Sequence, residues 1–409
     1  MKKKLMIVLA VVLAMGMVLA SCTSGGDPAP PPEPAPVDDG GGATAEPDPE
    51  PAAPAENPNI PDYDYVEPDG TTFDIQTYYN ALDPELNCQV NIRSSGGAVS
   101  VSDNPTTPMP KAAGDYTIGF SVYYTVDEVG GMLLDTMKEA AAEAGVELLV
   151  NDANYDQNAQ NQAIEQWITQ NVDGVILAPC DFTGVKDALD MLEAAGIPVV
   201  CLNAPLAGNT DCVVLSDCVG QGAIAGQILI DKLNADGTEI AGKVVYQTLP
   251  FVHPNAVTRT KGFKDSFEAY PDIEFIELTG ISPEDHYTAF EGALMANPDM
   301  IGAWGLYSSA TIGMENAKKA AGSDVLLTSI DNDKIILAGV KEGTILGSAC
   351  YSSIAPAWWC MSLIVNKVNG IDIPSVLFYE NRTVTPENVD AMFEHYYPGQ
   401  TLEGFMTGA

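Results

Sequence analysis

The pattern of apolar and polar positions divides the chain near residue 113. Beyond that point, short continuous apolar runs alternate with longer segments whose apolar residues recur every three to four positions. The short runs predict buried parallel strands, and the longer segments predict helices that cover both faces of a sheet. The first part of this pattern predicts strands over 116–122, 146–150, 175–178 and 198–202, and helices over 131–145, 158–171 and 185–195.

The same alternation continues to residue 368. It predicts helices over 220–233, 259–269, 286–295, 310–321, 333–342 and 355–368, and strands over 243–247, 273–278, 301–305, 326–330 and 345–350. A doubly wound α/β region of this length exceeds one hydrophobic core, so we expect two lobes. Ligands of open α/β sheets bind beyond the carboxyl ends of the strands, so two facing lobes would form a cleft.

The first residues have the order typical of an export signal. Lys2, Lys3 and Lys4 precede an uncharged apolar run over 5–18, and Leu19-Ala20-Ser21-Cys22 follows. The run is shorter than the roughly 20 residues that a membrane-spanning helix needs. Residues 1–21 resemble a bacterial lipoprotein signal peptide, which implies cleavage before Cys22 and a diacylglycerol on its sulfur. An ordinary signal peptide with a chance cysteine is the alternative.

Residues 22–112 are interpreted as the lipidated cysteine followed by a disordered linker rich in proline and acidic residues. Residues 23–61 have almost no large apolar side chains and cannot bury enough surface to offset chain entropy. Their proline repeats favour an extended stalk. Residues 62–112 contain several aromatic residues but no sustained period, so we expect irregular structure there, partly packed on the domain.

The net charge of −38 argues against nucleic acids and anionic membranes as partners. Nucleic-acid binding needs clustered Lys and Arg, and binding to anionic lipid needs a basic face, so neither is expected. The three histidines are scattered and no CxxC pair occurs, so no metal and no cofactor is predicted.

The cysteine count is odd once Cys22 is set aside, since eight less one leaves seven. At least one cysteine is then unpaired or pairs between molecules. Cys212 and Cys218 are close enough in sequence to bridge. The pairing of all seven stays open on the sequence alone: Cys88, Cys180, Cys201, Cys212, Cys218, Cys350 and Cys360.

Several short motifs occur in a characteristic order. They are Ile164-Glu165-Gln166-Trp167-Ile168 with Val172-Asp173-Gly174-Val175-Ile176-Leu177-Ala178-Pro179, Ala195-Gly196-Ile197-Pro198-Val199-Val200, Leu215-Ser216-Asp217, Arg259-Thr260-Lys261-Gly262-Phe263, Asn297-Pro298-Asp299 and Ser329-Ile330-Asp331. Together they resemble periplasmic sugar-binding proteins of ABC transporters, of the ribose- and galactose-binding type. The resemblance implies a type I fold of two doubly wound parallel-sheet α/β lobes joined by a three-crossover hinge.

This resemblance also implies the domain limits. The binding domain would cover 113–409, with lobe one over 115–216 plus 352–380 and lobe two over 217–351 plus 381–409. The implied function is an extracytoplasmic solute-binding lipoprotein, a monomer on the outer face of the cytoplasmic membrane. It would capture a small polar ligand, a sugar or sugar-like molecule, and deliver it to an ABC permease. A ligand-presenting sensor for a membrane receptor or histidine kinase is the alternative.

Candidate ligand-binding residues follow the predicted strands. Tyr123, Tyr124 and Asp127 come after the first strand, where an aromatic ring can stack on the C–H face of a sugar. Loop packing is the alternative for the two tyrosines. Asp181 and Asn203 follow the third and fourth strands.

Four further candidates come from the resemblance. Arg259 matches a ligand-binding arginine whose planar fork donates two parallel hydrogen bonds, with a surface arginine at a helix start as the alternative. Asp331 matches a ligand carboxylate, with a helix N-cap as the alternative. Tyr351 falls at the hinge, and Tyr307 stands where sugar binders often carry Asn. That departure leaves a deoxysugar, a glycoside, a cyclitol or a nucleoside-like ligand open.

Enzymes and DNA-binding regulators are not predicted. No GxSxG, GxxxxGK[ST] or HExxH motif occurs in the chain. A DNA-binding regulator would need a basic helix-turn-helix, and the apolar run and acidic stalk stand at its place.

Overall fold

The computed structural model describes residues 64–66, 72–74, 90–94, 96–103, 105, 107–181, 183–202, 208–251 and 253–408. The predicted signal peptide, Cys22 and Asn203 lie outside these residues. Within the described part, no helix is both long enough and apolar enough to cross a membrane.

The described strands and helices alternate along most of the chain. The strands are β1 (Asp64–Val66), β2 (Thr72–Asp74), β3 (Val90–Ile92), β4 (Ala98–Val101), β5 (Thr117–Val122), β6 (Glu147–Asp152), β7 (Gly174–Leu177), β8 (Val199–Leu202), β9 (Gly208–Thr210), β10 (Cys212–Leu215), β11 (Gly242–Thr248), β12 (Ile273–Thr279), β13 (Met300–Gly305), β14 (Leu327–Ile330), β15 (Ser348–Tyr351), β16 (Val376–Tyr379) and β17 (Asn381–Val384). The helices are α1 (Glu128–Ala144), α2 (Gln157–Gln170), α3 (Lys186–Ala194), α4 (Cys218–Ala235), α5 (Pro254–Asp265), α6 (Pro283–Ala296), α7 (Ser308–Ala321), α8 (Lys334–Glu342), α9 (Ile354–Val368), α10 (Val389–Tyr396) and α11 (Leu402–Thr407).

Lobe one is built on a seven-stranded sheet in the order β4-β16-β10-β8-β7-β5-β6. All of its strand pairs are parallel. The central strands β7, β8, β10 and β16 are buried at every position, because helices cover both faces of the sheet. Helix α9 packs against α1 and against β7 and β8.

Lobe two is built on a six-stranded sheet in the order β12-β11-β13-β14-β15-β17. Its pairs are parallel except β15 with β17, which is antiparallel. Helices α4 and α5 pack closely on each other, and α4 also contacts β14 and β15. In the core of this lobe, the rings of Phe263 and Trp304 stack with centroids 4.3 Å apart.

The chain passes between the lobes three times. The passages follow β10, β15 and β16, and each is two residues long or shorter. Lobe-one strands lie within 115–216 and 352–380, apart from β4, and lobe-two strands lie within 217–351 and 381–409. The prediction of two doubly wound parallel lobes with a three-crossover hinge is therefore confirmed.

The segment before residue 113 differs in part from the expectation of a linker with irregular structure. Strand β4 pairs in parallel with β16 at the edge of the lobe-one sheet, and β3 pairs with β9. Beyond β4, Trp358 Nε1 donates to the carbonyl of Thr107, and Asn369 Nδ2 donates to the carbonyl of Lys111. Short edge strands leave little periodicity in a sequence, because pairing with a neighbouring strand rather than their own pattern fixes them.

Helix α5 begins at Pro254, five residues before the predicted start at 259. Proline fits the first position of a helix because the N–H it lacks has no helical partner there. The prediction also assigned no structure to β10, β16, β17, α10 and α11. These elements are four to eight residues long, and such short runs carry little periodic signal.

The described cysteines form no disulfide. Cys212 and Cys218 were close enough in sequence to bridge, but Cys212 begins β10 and Cys218 begins α4. An extended strand rises about 3.3 Å per residue, so the four residues of β10 carry the chain away from Cys212 before α4 begins. All the described cysteines are buried: Cys180, Cys201, Cys212, Cys218, Cys350 and Cys360.

Candidate functional site

A cavity of about 50 Å³ lies between the two lobes, beyond the carboxyl ends of their strands. Lobe one, lobe two and the hinge all contribute to its wall. The polar and aromatic lining residues are Tyr123, Tyr124, Asp127 and Tyr155 of lobe one, His253, Asn255, Arg259, Tyr307 and Asp331 of lobe two, and Tyr351 and Ser353 at the hinge. The cavity is smaller than the roughly 150 Å³ that accommodates a benzene ring. The two lobes therefore contact each other around a space smaller than a sugar ring.

The guanidinium of Arg259 is buried at the floor of this cavity. It projects from the middle of α5, so the alternative of a surface arginine at a helix start is wrong. Nε donates to Gln221 Oε1 at 2.8 Å, and Nη1 donates to the carbonyl of Leu306 at 3.2 Å. Its Cζ lies 5.4 Å from the centroid of the Tyr351 ring. Burial lowers its pKa and Asp331 raises it, and the net shift is upward, so the group stays charged.

Asp331 faces Arg259 across the cavity, with Oδ1 3.6 Å from Nη2. Its other oxygen, Oδ2, accepts hydrogen bonds from the backbone N–H of Ser308 at 2.8 Å and from its hydroxyl at 3.0 Å. Asp331 therefore caps α7, and not the helix that follows it in sequence. Its φ of +79° is strained for a residue with a side chain, which is common where a fold holds a functional group in place.

Four buried side-chain atoms of the cavity lining have no hydrogen-bond partner among the described residues. They are Asp331 Oδ1, Asn255 Oδ1, His253 Nε2 and Ser353 Oγ. An unpaired buried polar atom is costly, so native structures seldom leave one without a purpose. Here four such atoms belong to residues that line one cavity, which favours a site for a hydrogen-bonding ligand.

His253 and Asn255 were not predicted from the sequence. Burial, followed by the charge of Arg259, lowers the pKa of His253 to about 3, so its imidazole is neutral at pH 7. His253 is the N-cap residue of α5 and Asn255 lies in its first turn, after the loop that follows β11, and Tyr155 comes shortly after β6. The rule that selected residues after strands would have found all three if it had been applied to every strand.

Three tyrosines of lobe one form a stack at the cavity wall. Tyr155 lies between Tyr123, at 5.7 Å, and Tyr124, at 5.2 Å, with nearly parallel rings. From lobe two, His253 contacts Tyr123 edge-on at 5.1 Å, and Phe251 lies 5.3 Å from Tyr155. The aromatic cluster therefore joins the two lobes and closes one side of the cavity.

Asp127 is the N-cap of α1, and its Oδ1 accepts from the N–H of Gly130 at 2.7 Å. Burial and, more weakly, the charges of Asp331 and Glu128 raise the pKa of Asp127 to about 6. Among the described lining residues, two carboxyl groups thus accompany one guanidinium. Among the described residues, no group of three His, Cys, Asp or Glu side chains could hold a metal ion.

The remaining predicted residues take different positions. Tyr307 lines the cavity, but its hydroxyl is engaged by His286 Nε2 at 2.7 Å and donates to the carbonyl of Ile281 at 3.1 Å. Tyr351 is buried beneath Arg259. Asp181 is absent from the described lining, and its Oδ1 accepts from the N–H groups of Thr183 and Gly184 in its own turn.

Comparison with known proteins agrees with this geometry. A family model described as periplasmic binding protein domain matches residues 118–372. The chain is 26% identical to the ribose import binding protein of Bacillus subtilis over 233 residues, which cover 56% of this chain and 73% of that protein. It is 24% identical to the xylitol-binding protein of Mycolicibacterium smegmatis over 307 residues, covering 73% and 84%.

Solved structures are similar as well. An ABC transporter solute-binding protein of Bacillus halodurans with bound myo-inositol superposes with a TM-score of 0.64 at 25% identity, covering 70% of this chain and 99% of that one. One of Actinobacillus succinogenes with bound D-allose gives 0.62 at 21%, covering 68% and 100%, which shows the fold. Both the family and the Actinobacillus succinogenes protein are described as periplasmic binding proteins. Because the family model spans parts of both lobes and two of the three crossings, and the cavity lies between the lobes, this chain belongs to the periplasmic binding protein family.

Proposed function

We propose that this protein captures a small neutral polyol, a sugar or a sugar alcohol, between its lobes and delivers it to an ABC importer. The observation that carries the proposal is a pair of acceptor oxygens in the cavity lining, Asp331 Oδ1 and Asn255 Oδ1, that accept no hydrogen bond from any described residue. Adjacent hydroxyls of a polyol donate to such acceptors and accept from the guanidinium of Arg259.

The charges of the cavity favour a neutral ligand over an acid. Arg259 is the cationic side chain of the lining, and Asp331 already lies 3.6 Å from it. His253 is neutral, and Asp127 adds a second carboxyl group. A ligand carboxylate or phosphate would meet repulsion from these carboxylates in a low-dielectric space.

The relatives support the same class of ligand. Their names and titles mention ribose, xylitol, myo-inositol and D-allose, which are neutral and rich in hydroxyl groups. The sensor alternative finds no support among them, because several are named as import binding proteins. We infer a carrier without catalytic turnover, which binds and releases its ligand unchanged.

The same proposal covers the N-terminal segment. Residues 1–21 would be removed, and Cys22 would carry the lipid that holds the protein on the outer face of the cytoplasmic membrane. Residues 23–61 would act as the stalk and 113–409 as a monomeric binding domain. The order of basic, apolar and small residues before Cys22 supports this organisation.

Thermal-shift screening of the purified chain tests the ligand class. A ligand that binds only the folded state raises the melting temperature in proportion to the logarithm of its concentration above Kd. D-Ribose, D-allose, xylitol and myo-inositol form the neutral panel, and D-gluconate and D-glucuronate form the acidic one. We expect at least one neutral polyol to raise the melting temperature and the acids to leave it unchanged. A shift with an acid alone, or conversion of a bound polyol into product, would contradict the proposal.

A further inference from the structure

We propose that Glu128 is a closure residue, which fastens lobe one to lobe two when the cleft is closed and slows release of the ligand. Glu128 is the first residue of α1 in lobe one, and Lys334 is the first residue of α8 in lobe two. The effect on ligand release rests on the proposed function, whereas the effect on closure does not.

Both carboxylate oxygens of Glu128 contact Lys334. Oε2 accepts from the backbone N–H of Lys334 at 2.9 Å, and Oε1 lies 3.0 Å from its Nζ. The first N–H groups of a helix have no acceptor within that helix. Asp333, at the N-cap position of α8, makes no side-chain capping bond, so Glu128 supplies the cap from the other lobe.

Lobe two holds Lys334 ready for this contact. Its Nζ lies 4.6 Å from the centroid of the Tyr397 ring, and the hydroxyl of Tyr397 donates to the carbonyl of Asn332 at 2.9 Å. The contact is partly shielded from water, with the side chains of Lys334 and Glu128 exposed by 21% and 30%. Because the Lys334 side chain is already held in place, less side-chain conformational entropy is lost when the contact with Glu128 forms.

Acidic side chains of both lobes surround the contact. Closing brings Asp127 and Glu128 of lobe one toward Asp331 and Asp333 of lobe two. Burial, and then repulsion from these neighbours, raises the pKa of Asp333 to about 8. Asp333 therefore keeps its proton at pH 7, and Lys334 offsets the repulsion that Glu128 meets from the remaining carboxylates.

Neighbouring residues connect the contact with the ligand cavity. Asp127 caps α1 and lines the cavity, and Glu128 is the next residue along the chain. Parting of the lobes separates Glu128 from Lys334, because the two residues belong to different sheets. The contact therefore forms with closure, and it stabilises the closed state without touching the ligand.

Hydrogen–deuterium exchange at the amide of Lys334 tests closure directly in the full chain without ligand. We expect this amide to be protected in the wild type and to exchange at least several times faster in Glu128→Ala. Lys334→Met removes the ammonium but keeps the backbone N–H, so its amide should stay protected. Lys186→Met, which breaks the exposed Lys186–Asp190 pair within lobe one, is the matched control and should change nothing.

Stopped-flow kinetics with D-ribose, xylitol and myo-inositol test the effect on release. Loss of a capping contact predicts dissociation about fivefold faster in Glu128→Ala, with an unchanged association rate. Equal exchange of Lys334 in wild type and Glu128→Ala, or equal dissociation rates, would overturn the proposal. If none of the polyols binds, the proposed function fails, and the exchange experiment still decides whether Glu128 fastens the lobes.

Discussion

The carbonyl oxygen of Arg259 lies 1.9 Å from the position that a Cβ on Gly222 would occupy. In the same crossing, a Cβ on Gly262 would lie 1.8 Å from the carbonyl oxygen of Val219. The backbones of α4 and α5 therefore touch, which only glycine permits at these two positions. This contact places Arg259 within hydrogen-bonding distance of Gln221 and directs its guanidinium into the cleft.

Gly222→Ala should separate the two helices and displace Arg259. We expect the free energy of unfolding to fall by about 1–3 kcal/mol, as for overpacking, and ligand affinity to fall with it. Urea denaturation and calorimetry measure the two effects. Gly292→Ala on α6 is the control, because the added Cβ would have no neighbouring atom within 4 Å. It should raise the free energy of unfolding by roughly 0.5–1 kcal/mol. Equal effects of the two changes would contradict this role for the crossing.

Arg259→Ala and Asp331→Ala should each weaken ligand binding by about 1–3 kcal/mol, through lost or unpaired polar contacts. Each change leaves the other buried charge without its partner, so stability should fall as well. Calorimetry with the polyol found by screening gives the affinities. Lys341→Met, which breaks an exposed pair with Asp390, is the control and should alter neither quantity appreciably. Unchanged affinity in both cavity variants would remove the proposed site.

The buried imidazole of His253 should make stability fall in acid. Its pKa is about 3 in the folded protein against an ordinary value of 6.5, so the folded state favours the neutral form. Its contribution is fully present above pH 6.5 and is lost as the pH falls toward 3, because the unfolded state binds the proton first. Chemical denaturation between pH 4 and 8 measures this slope. His253→Gln should show a smaller loss over that range, and an identical slope would contradict the assignment.

The buried carboxyl group of Asp333 should make stability fall as the pH rises, opposite to the effect of His253. Its pKa is raised to about 8 from an ordinary 3.8, mainly by burial, so the folded state retains a proton that the unfolded state releases. Stability from this group is greatest below pH 3.8 and is lost as the pH rises to about 8. Asp333→Asn keeps an acceptor for Ser308 but cannot ionise. We expect its stability relative to wild type to increase between pH 5 and 9, and denaturation at both pH values tests this.

Asp103 should stabilise the folded state through an ion pair between the two lobes, close to the hinge. It follows β4 of lobe one, and its buried carboxylate accepts from Arg382 Nε at 2.6 Å and Nη2 at 2.8 Å, on β17 of lobe two. Despite burial, hydrogen bonds from Arg382 and His395 lower the pKa of Asp103 to about 2. We expect Asp103→Ala to reduce the free energy of unfolding by about 3 kcal/mol at pH 7, as for breaking a buried pair. The difference in the free energy of unfolding between wild type and Asp103→Ala should vanish near pH 2. A difference that persists there would contradict the ionic role of Asp103.

The predicted site residues reach the cavity wall after β5 but not after β7, and their role in ligand binding stays a prediction. Tyr123, Tyr124 and Asp127 follow β5, and the structure places all three in the cavity wall. Asp181 also follows a strand, yet its carboxylate is used within its own turn. Both kinds of residue look alike in sequence, because only the three-dimensional course of the loop decides which way a side chain points.

By itself, the sequence determined the two doubly wound lobes and the order of most strands and helices. Burial on both faces forces continuous apolar strands, and amphipathic helices force a period near 3.6, so both leave a readable pattern. The tertiary structure alone decided that Arg259 lies in mid-helix, that His253 and Asn255 join the cavity, and that Glu128 meets Lys334. These relationships join residues distant in sequence, and the packing of two lobes, rather than any local period, brings them together.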